Sequence, residues 1–272
     1  MAYNTTHASQ LVNMQLQRDV ALVTIEDPPL NLLSRVTKEK LRETFIALKE
    51  RSDIRAVVLR GAGTRAFSAG ADIREFPQRI ADGNAEQIAQ EGHQLVSAIA
   101  NCGKPTIALV EGVAYGAGLE VTLATDLRFA TERASFALPE VTRGVFPGNG
   151  GTQLLPRIIG PARALELMLT GKPIDAVEAH RIGLVNRLIA SGDPLAEALS
   201  FAEHLASLPT TAISRIRRLI NAAVEQPLAE GLKLEAALFG EVFRTDAVKE
   251  GIKAFQEKRP PNFRGTESRS LS

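Results

Sequence analysis

Two glutamates in this sequence occupy positions that a purely structural account explains poorly. Glu120 lies among Leu119, Val121 and Leu123, and a carboxylate in apolar company is costly unless it is solvated or paired. Glu140 follows Pro139 and opens a loop punctuated by glycine and proline, PEVTRGVFPGNGGT at 139–152. Taken alone, Glu140 reads as an exposed loop residue, because carboxylates usually face water. Brought close together, two carboxyl groups push each other's pKa values apart, which yields one acid and one base.

Two further segments offer backbone donors. In FSAGADIREF (67–76), the small residues Ala69, Gly70 and Ala71 allow another molecule to approach the main chain, leaving N–H groups for an oxyanion. Asp72, with Glu75 three residues on, fits a helix N-cap pair. In EGVAYGAGLE (111–120), the N–H of Ala117 falls near a helix N-terminus, where the dipole favours negative charge. The plainer reading of the first segment is a tight strand-to-helix connection. For Glu120 it is a carboxylate that complements the dipole, worth about 0.3–1 kcal/mol.

The elements around these segments alternate. Residues 11–26 suit two short strands, and 37–49 have helical spacing with Leu41, Phe45 and Leu48 on one stripe. Strands are predicted at 56–61, 106–110, 127–130 and 135–138, with a helix at 84–101. Such alternation predicts an α/β core. From about residue 150, helical patterns take over at 161–170, 175–182, 194–207 and 210–224. Leu228, Leu232, Ala236, Phe239 and Phe243 then form an amphipathic stripe. The expected division is an α/β core over 1–200 and a helical region over 201–272, with a polar tail that frays beyond Pro260.

Composition narrows the function. The 272 residues are 44% hydrophobic and 23% charged, with a formal net charge of +1. No global charge draws the chain to nucleic acid or an anionic membrane. Cys102 is the single cysteine and there are four histidines, which argues against a disulfide or a structural zinc. The apolar stretch 106–124 contains Glu111 and Glu120, so it reads as buried core rather than a membrane span. The polar N-terminus, MAYNTTHASQ, shows no secretory signal, and a cytoplasmic location is expected. GAGTRA (61–66) lacks the last glycine of a dinucleotide fingerprint, and GKP (171–173) lacks the Ser or Thr of a phosphate loop. No G-x-S-x-G elbow occurs.

Several separated motifs occur in a recognisable order: AFSAGADI (66–73), Lys104–Pro105 before a strand, GAGLE (116–120), LPE (138–140), PGNGGTQLLP (147–156), TGKPIDAVEA (170–179) and GLVN (183–186). Over residues 12–263 the chain resembles the enoyl-CoA hydratase/isomerase (crotonase) superfamily. Its wording is most similar to the hydratases and to the hydratase portion of bifunctional fatty-acid oxidation enzymes, without their dehydrogenase half. The resemblance implies an α/β fold, a spiral of ββα units whose C-terminal helices build trimers or dimers of trimers. It implies an oxyanion hole from the N–H groups of Ala71 and Ala117, and Glu120 and Glu140 as the catalytic pair. Ala71, Asp72, Ile73 and Arg74 would line the CoA thioester with Ala69 beside them. Phe255 and Lys258 match a pair that reaches the nucleotide of a neighbouring subunit's CoA. The expected partner is an acyl-CoA thioester, with coenzyme A as part of the substrate, no separate cofactor and no metal.

The expected reaction is reversible hydration of a 2-enoyl-CoA. A Δ3,Δ2-enoyl-CoA isomerase is the alternative within the superfamily. An RNA-binding homologue is a third reading, for which SRIRR (214–218) is the only local basic cluster; on a helix, such a cluster usually marks a solvated face. Two departures stand out. Ala117 replaces a usual glycine and adds a Cβ that narrows the pocket, and Asn149 replaces a common alanine.

Overall fold

The structure, a computed structural model, describes residues 11–266. A hairpin, β1 (Val12–Gln17) and β2 (Val20–Ile25), leads into helix α1 (Arg35–Glu50). Ser34 caps α1 by accepting a hydrogen bond from the N–H of Thr37 at 3.1 Å. Three turns of chain follow, each starting with two strands. The first is β3 (Ala56–Gly61) and β4 (Ala66–Ser68), with helices α2 (Phe76–Asp82) and α3 (Ala85–Ala100). The second is β5 (Thr106–Val110), β6 (Val113–Tyr115) and α4 (Ala117–Leu123). The third is β7 (Leu127–Thr131), β8 (Ser135–Ala137) and α5 (Gly151–Ile159). In each turn the first strand joins one sheet and the second strand joins another.

The spiral follows from that alternation. The larger sheet has the order β1-β2-β3-β5-β7, completed by β10 (Arg187–Ile189), and is parallel except for β1. The smaller sheet has β4, β6 and β8 parallel, with β9 (Ile174–Asp175) antiparallel at its edge. Helices α6 (Pro161–Thr170) and α7 (Ala176–Arg181) fill the chain between α5 and β10. β4, β6, β9 and β10, each of two or three residues, go beyond the strands expected from the sequence, because runs so short carry no readable periodicity.

Both faces of the larger sheet are buried. On β2, Ala21, Val23 and Ile25 join the main core, while Val20 and Leu22 face a second cluster. Helix α8 (Pro194–Ser207) closes that second face with Ala198, Leu199, Ala202 and Ala206. Burial on both sides explains why these strands read as continuous apolar runs. Replacing Ser34 with Ala should cost about 1 kcal/mol through loss of the α1 cap. A thermal melt should then show a fall of roughly 2–4 °C.

The C-terminal region is helical, as expected: α9 (Thr210–Ala223), α10 (Leu228–Phe243) and α11 (Asp246–Gln256). Leu228, Leu232, Phe239 and Phe243 on α10 remain exposed in the single chain, as do Ile216 and Ile220 on α9. Of the tail beyond Pro260, expected to fray, residues 261–266 are held to the fold, and the remainder lies outside the described residues. The N–H of Asn262 donates to Glu250 at 2.8 Å, and Arg264 pairs with Asp19 at 2.8 Å. The basic cluster at 214–218 is also partly spent within the fold. Arg215 pairs with Glu241 at 3.0 Å, and Arg217 bonds Asp126 and the carbonyl of Ala100, each at 2.9 Å. Among the described residues, no helix is long and apolar enough to cross a membrane.

Candidate active site

The smaller sheet ends in a cavity of about 400 Å³. β4 and β6 run parallel and deliver the segments after them, Ala69–Ala71 and Gly116–Ala117, to the same wall. A Cβ built on Gly70 would lie 3.7 Å from the nitrogen of Ala117, so the two segments touch. Ala117 is the first residue of α4, where a backbone N–H has no intrahelical acceptor. Ala71 forms an isolated bridge with Leu33, but the hydrogen bond at that bridge runs from the N–H of Leu33 to the carbonyl of Gly70. The N–H groups of Ala71 and Ala117 therefore have no acceptor among the described residues.

Asp72 caps the 3-10 turn Ile73–Glu75 by accepting from the N–H of Arg74, and it pairs with the Arg74 guanidinium at 2.7 Å. The expected Asp72–Glu75 reciprocal cap does not form. Glu75 instead accepts from the backbone N–H of Arg35 on α1 and pairs with Arg79 on α2. That cross-link ties the turn to α1 and fixes one side of the cavity.

Glu140, in the 3-10 turn Pro139–Arg143, lines the cavity. The expectation of an exposed loop carboxylate fails here: its Oε2 is buried and has no hydrogen-bond partner among the described residues. Burial, reinforced by the nearby charge of Glu120, pushes its pKa up to about 7. Gly116 makes room for this carboxyl, since a Cβ there would lie 2.9 Å from Oε1 of Glu140.

Glu120, in the first turn of α4, is fully buried and is not part of the cavity wall. Its Oε1 accepts from the N–H groups of Asn149 and Gly151, both at 2.8 Å, and its Oε2 accepts from the Asn149 side-chain amide at 2.6 Å. Burial raises its pKa while these three hydrogen bonds and Lys38 act to lower it. A carboxylate has about four acceptor sites. Three are filled, and the remaining one is on Oε2.

Of the other expected residues, Ala69, Ala71, Ile73 and Ala117 line the cavity, whereas Asp72 and Arg74 do not. Phe255 is 84% exposed at the end of α11, and neither it nor Lys258 reaches the cavity of its own chain. Residues that the sequence did not single out complete the wall. Phe76, Ile80 and Ile88 from α2 and α3, with Val145 and Phe146 from the loop, make it largely apolar. Lys38 is the unexpected member: it is 6% exposed and lines the cavity. A signal for it existed, since Lys38 continues the stripe of Leu41, Phe45 and Leu48 at spacings of 3, 4 and 3. Among the described residues, no cluster of His, Cys, Asp and Glu is suited to hold a metal.

Sequence and fold match one family. Residues 15–266 fit the enoyl-CoA hydratase/isomerase family, and the chain belongs to it. A probable enoyl-CoA hydratase of Bacillus subtilis is 40% identical over 260 residues, covering 93% of this chain and 98% of that protein. The crotonyl-CoA hydratase of Syntrophomonas wolfei is 34% identical over 257 residues, covering 94% and 98%. Among solved structures, an enoyl-CoA hydratase from Bacillus anthracis superposes with a TM-score of 0.89 at 33% identity, covering 94% of this chain and all of that one.

Proposed function

We propose that this protein is an enoyl-CoA hydratase that adds water reversibly across C2=C3 of a 2-enoyl-CoA. The observation that carries the reading is Glu140: a half-buried carboxyl with an oxygen that has no partner among the described residues, in the same wall as two backbone N–H groups that have no acceptor among them. The thioester oxygen accepts from Ala71 and Ala117, which stabilise the negative charge that develops as water attacks C3. One such donor is worth about 2.7–4 kcal/mol in comparable sites. Glu120 takes the proton of the attacking water on Oε2, and Glu140 delivers its own proton to C2. One proton then passes from Glu120 to Glu140, and the pair is reset. Ala69 and Ile73 flank the thioester. Phe255 and Lys258, remote from their own cavity, serve the CoA of a neighbouring subunit in a trimer or dimer of trimers whose interface covers the exposed apolar faces of α9 and α10.

The deciding experiment is a panel of 2-enoyl-CoA thioesters from C4 to C16, followed by loss of absorbance of the conjugated thioester. No turnover across the panel, with turnover of 3-enoyl-CoA instead, would favour the isomerase. The pH dependence follows from Glu140. Its protonated form is the active one for hydration, and its pKa is raised to about 7, so kcat/KM should fall tenfold per pH unit above that value. The same shift has a stability sign. The folded state holds this proton more tightly than the unfolded chain, so ionisation costs stability progressively as pH rises from 4.5 to about 7. Glu140→Gln should therefore remove the alkaline limb, and its melting temperature relative to the wild type should be higher at pH 8 than at pH 5.

A further inference from the structure

A lysine buried in an apolar wall without a carboxylate partner needs an explanation. Lys38 makes no ion pair within 4 Å among the described residues; its Nζ donates to the side-chain oxygen of Asn149 at 3.4 Å. The charged groups around it come from four elements. Burial weighs most against its charge and lowers its pKa, Arg79 on α2 opposes the charge as well, and Glu120 on α4, Glu75 and Glu91 on α3 favour it. Glu75 is engaged by Arg79 and the N–H of Arg35, and Glu91 by the Arg35 side chain. Glu120 is left, and between it and Lys38 stands Asn149, whose amide nitrogen donates to Glu120 at 2.6 Å. The amide is thus oriented at both ends, with its oxygen toward the cation and its nitrogen toward the carboxylate. Its place is made by Gly92 in the middle of α3, where a Cβ would collide with the Asn149 side-chain oxygen.

We propose that Lys38 and Asn149 form a relay that holds Glu120 as the carboxylate of the pair, so that the shared proton resides on Glu140. The proposal deepens the hydratase reading and rests on it for its catalytic meaning, but the relay itself is a property of the resting protein. Polarisation of an amide between a cation and an anion strengthens both hydrogen bonds in a low-dielectric interior. Without Lys38, burial would weigh more heavily on Glu120 and raise its proton affinity. Both glutamates would then compete for the proton, and the base would be lost at a pH where the acid is present. Lys38 and Asn149 are positioning residues: they act through Glu120.

The test is a carbon-13 NMR titration of the glutamate carboxyl groups in the full-length protein, with Glu120 assigned by the signal missing in Glu120→Gln. In the wild type, Glu120 should titrate below Glu140. In Lys38→Met, its midpoint should rise by about one pH unit or more, a roughly tenfold gain in proton affinity, and the acid limb of kcat/KM should move with it while KM changes little. Lys38→Arg should keep the midpoint near the wild-type value. Asn149→Ala breaks the same link without removing the charge and protects the test should Lys38→Met fold poorly; it should shift Glu120 in the same direction. An unchanged midpoint in either folded variant overturns the relay. A shifted midpoint in a protein that hydrates no enoyl-CoA would uphold the relay and reject the hydratase reading.

Discussion

Replacing Glu140 with Gln is expected to lower hydration of a 2-enoyl-CoA on the order of 10²–10⁴-fold, the usual contribution of a positioned general acid or base. The substitution keeps the shape of a side chain that has one oxygen without a partner among the described residues, so the fold should persist. Glu120→Gln should also lower hydration strongly, and for a second reason. All three donors now aimed at Glu120 require an acceptor, and the NH2 of an amide would confront at least one of them. Its folded state must therefore be verified by circular dichroism and thermal melting before its rate is interpreted. The two effects should not add, because both groups act on one water. If 3-enoyl-CoA isomerisation is present, Glu140→Gln should abolish it while Glu120→Gln leaves a measurable fraction, since shuttling a proton needs one carboxyl. Near-wild-type hydration in either folded mutant would sink the two-carboxyl mechanism.

The second large effect should come from a single methyl group. Gly116 has φ +52° and ψ −126°, a conformation that costs an L-residue about 1–3 kcal/mol. Its missing Cβ also leaves the space occupied by Oε1 of Glu140. Gly116→Ala should lose stability in that range and displace the Glu140 carboxyl. A misplacement approaching about 1 Å can lower kcat on the order of 10²-fold. Gly63 provides the control, because its φ is also positive at +71° but nothing lies within 4 Å of a Cβ there. Gly63→Ala should show backbone strain and full activity. Equal kcat values in the two variants would mean that Gly116 does not shape the site.

What is legible in the sequence is mainly local. The close approach of Gly70 and Gly116 is announced by small residues in two short segments, and the main strands by their unbroken apolar runs. The surroundings of Glu140 are not legible from its own loop, since its burial depends on chain distant in sequence, including Gly116 and the cavity wall supplied by α2 and α3. Lys38 escapes notice for a related reason: a lysine in a helix reads as solvated, although its spacing from Leu41 places it on the inward stripe. Asn149 is visible as a departure from the family pattern, but its bond to Glu120 crosses 29 positions. The Asp72–Glu75 cap fails because Glu75 finds better partners in Arg35 and Arg79, a tertiary competition that local spacing does not register.

The way α8 covers the larger sheet bears on how the chain can be divided. Ala198 and Leu199 lie before residue 200, and Ala202 and Ala206 lie after it, yet all four pack on one face of β2, β3 and β5. Arg55, next to the start of β3, donates to the carbonyls of Ala206 at 2.6 Å and Leu208 at 2.8 Å. A fragment ending at residue 200 would therefore expose Val20, Val58 and Ile107 and take two acceptors away from a buried guanidinium. A cut within α8 would separate side chains that pack on one face of the sheet, so the whole helix belongs with the sheet it covers.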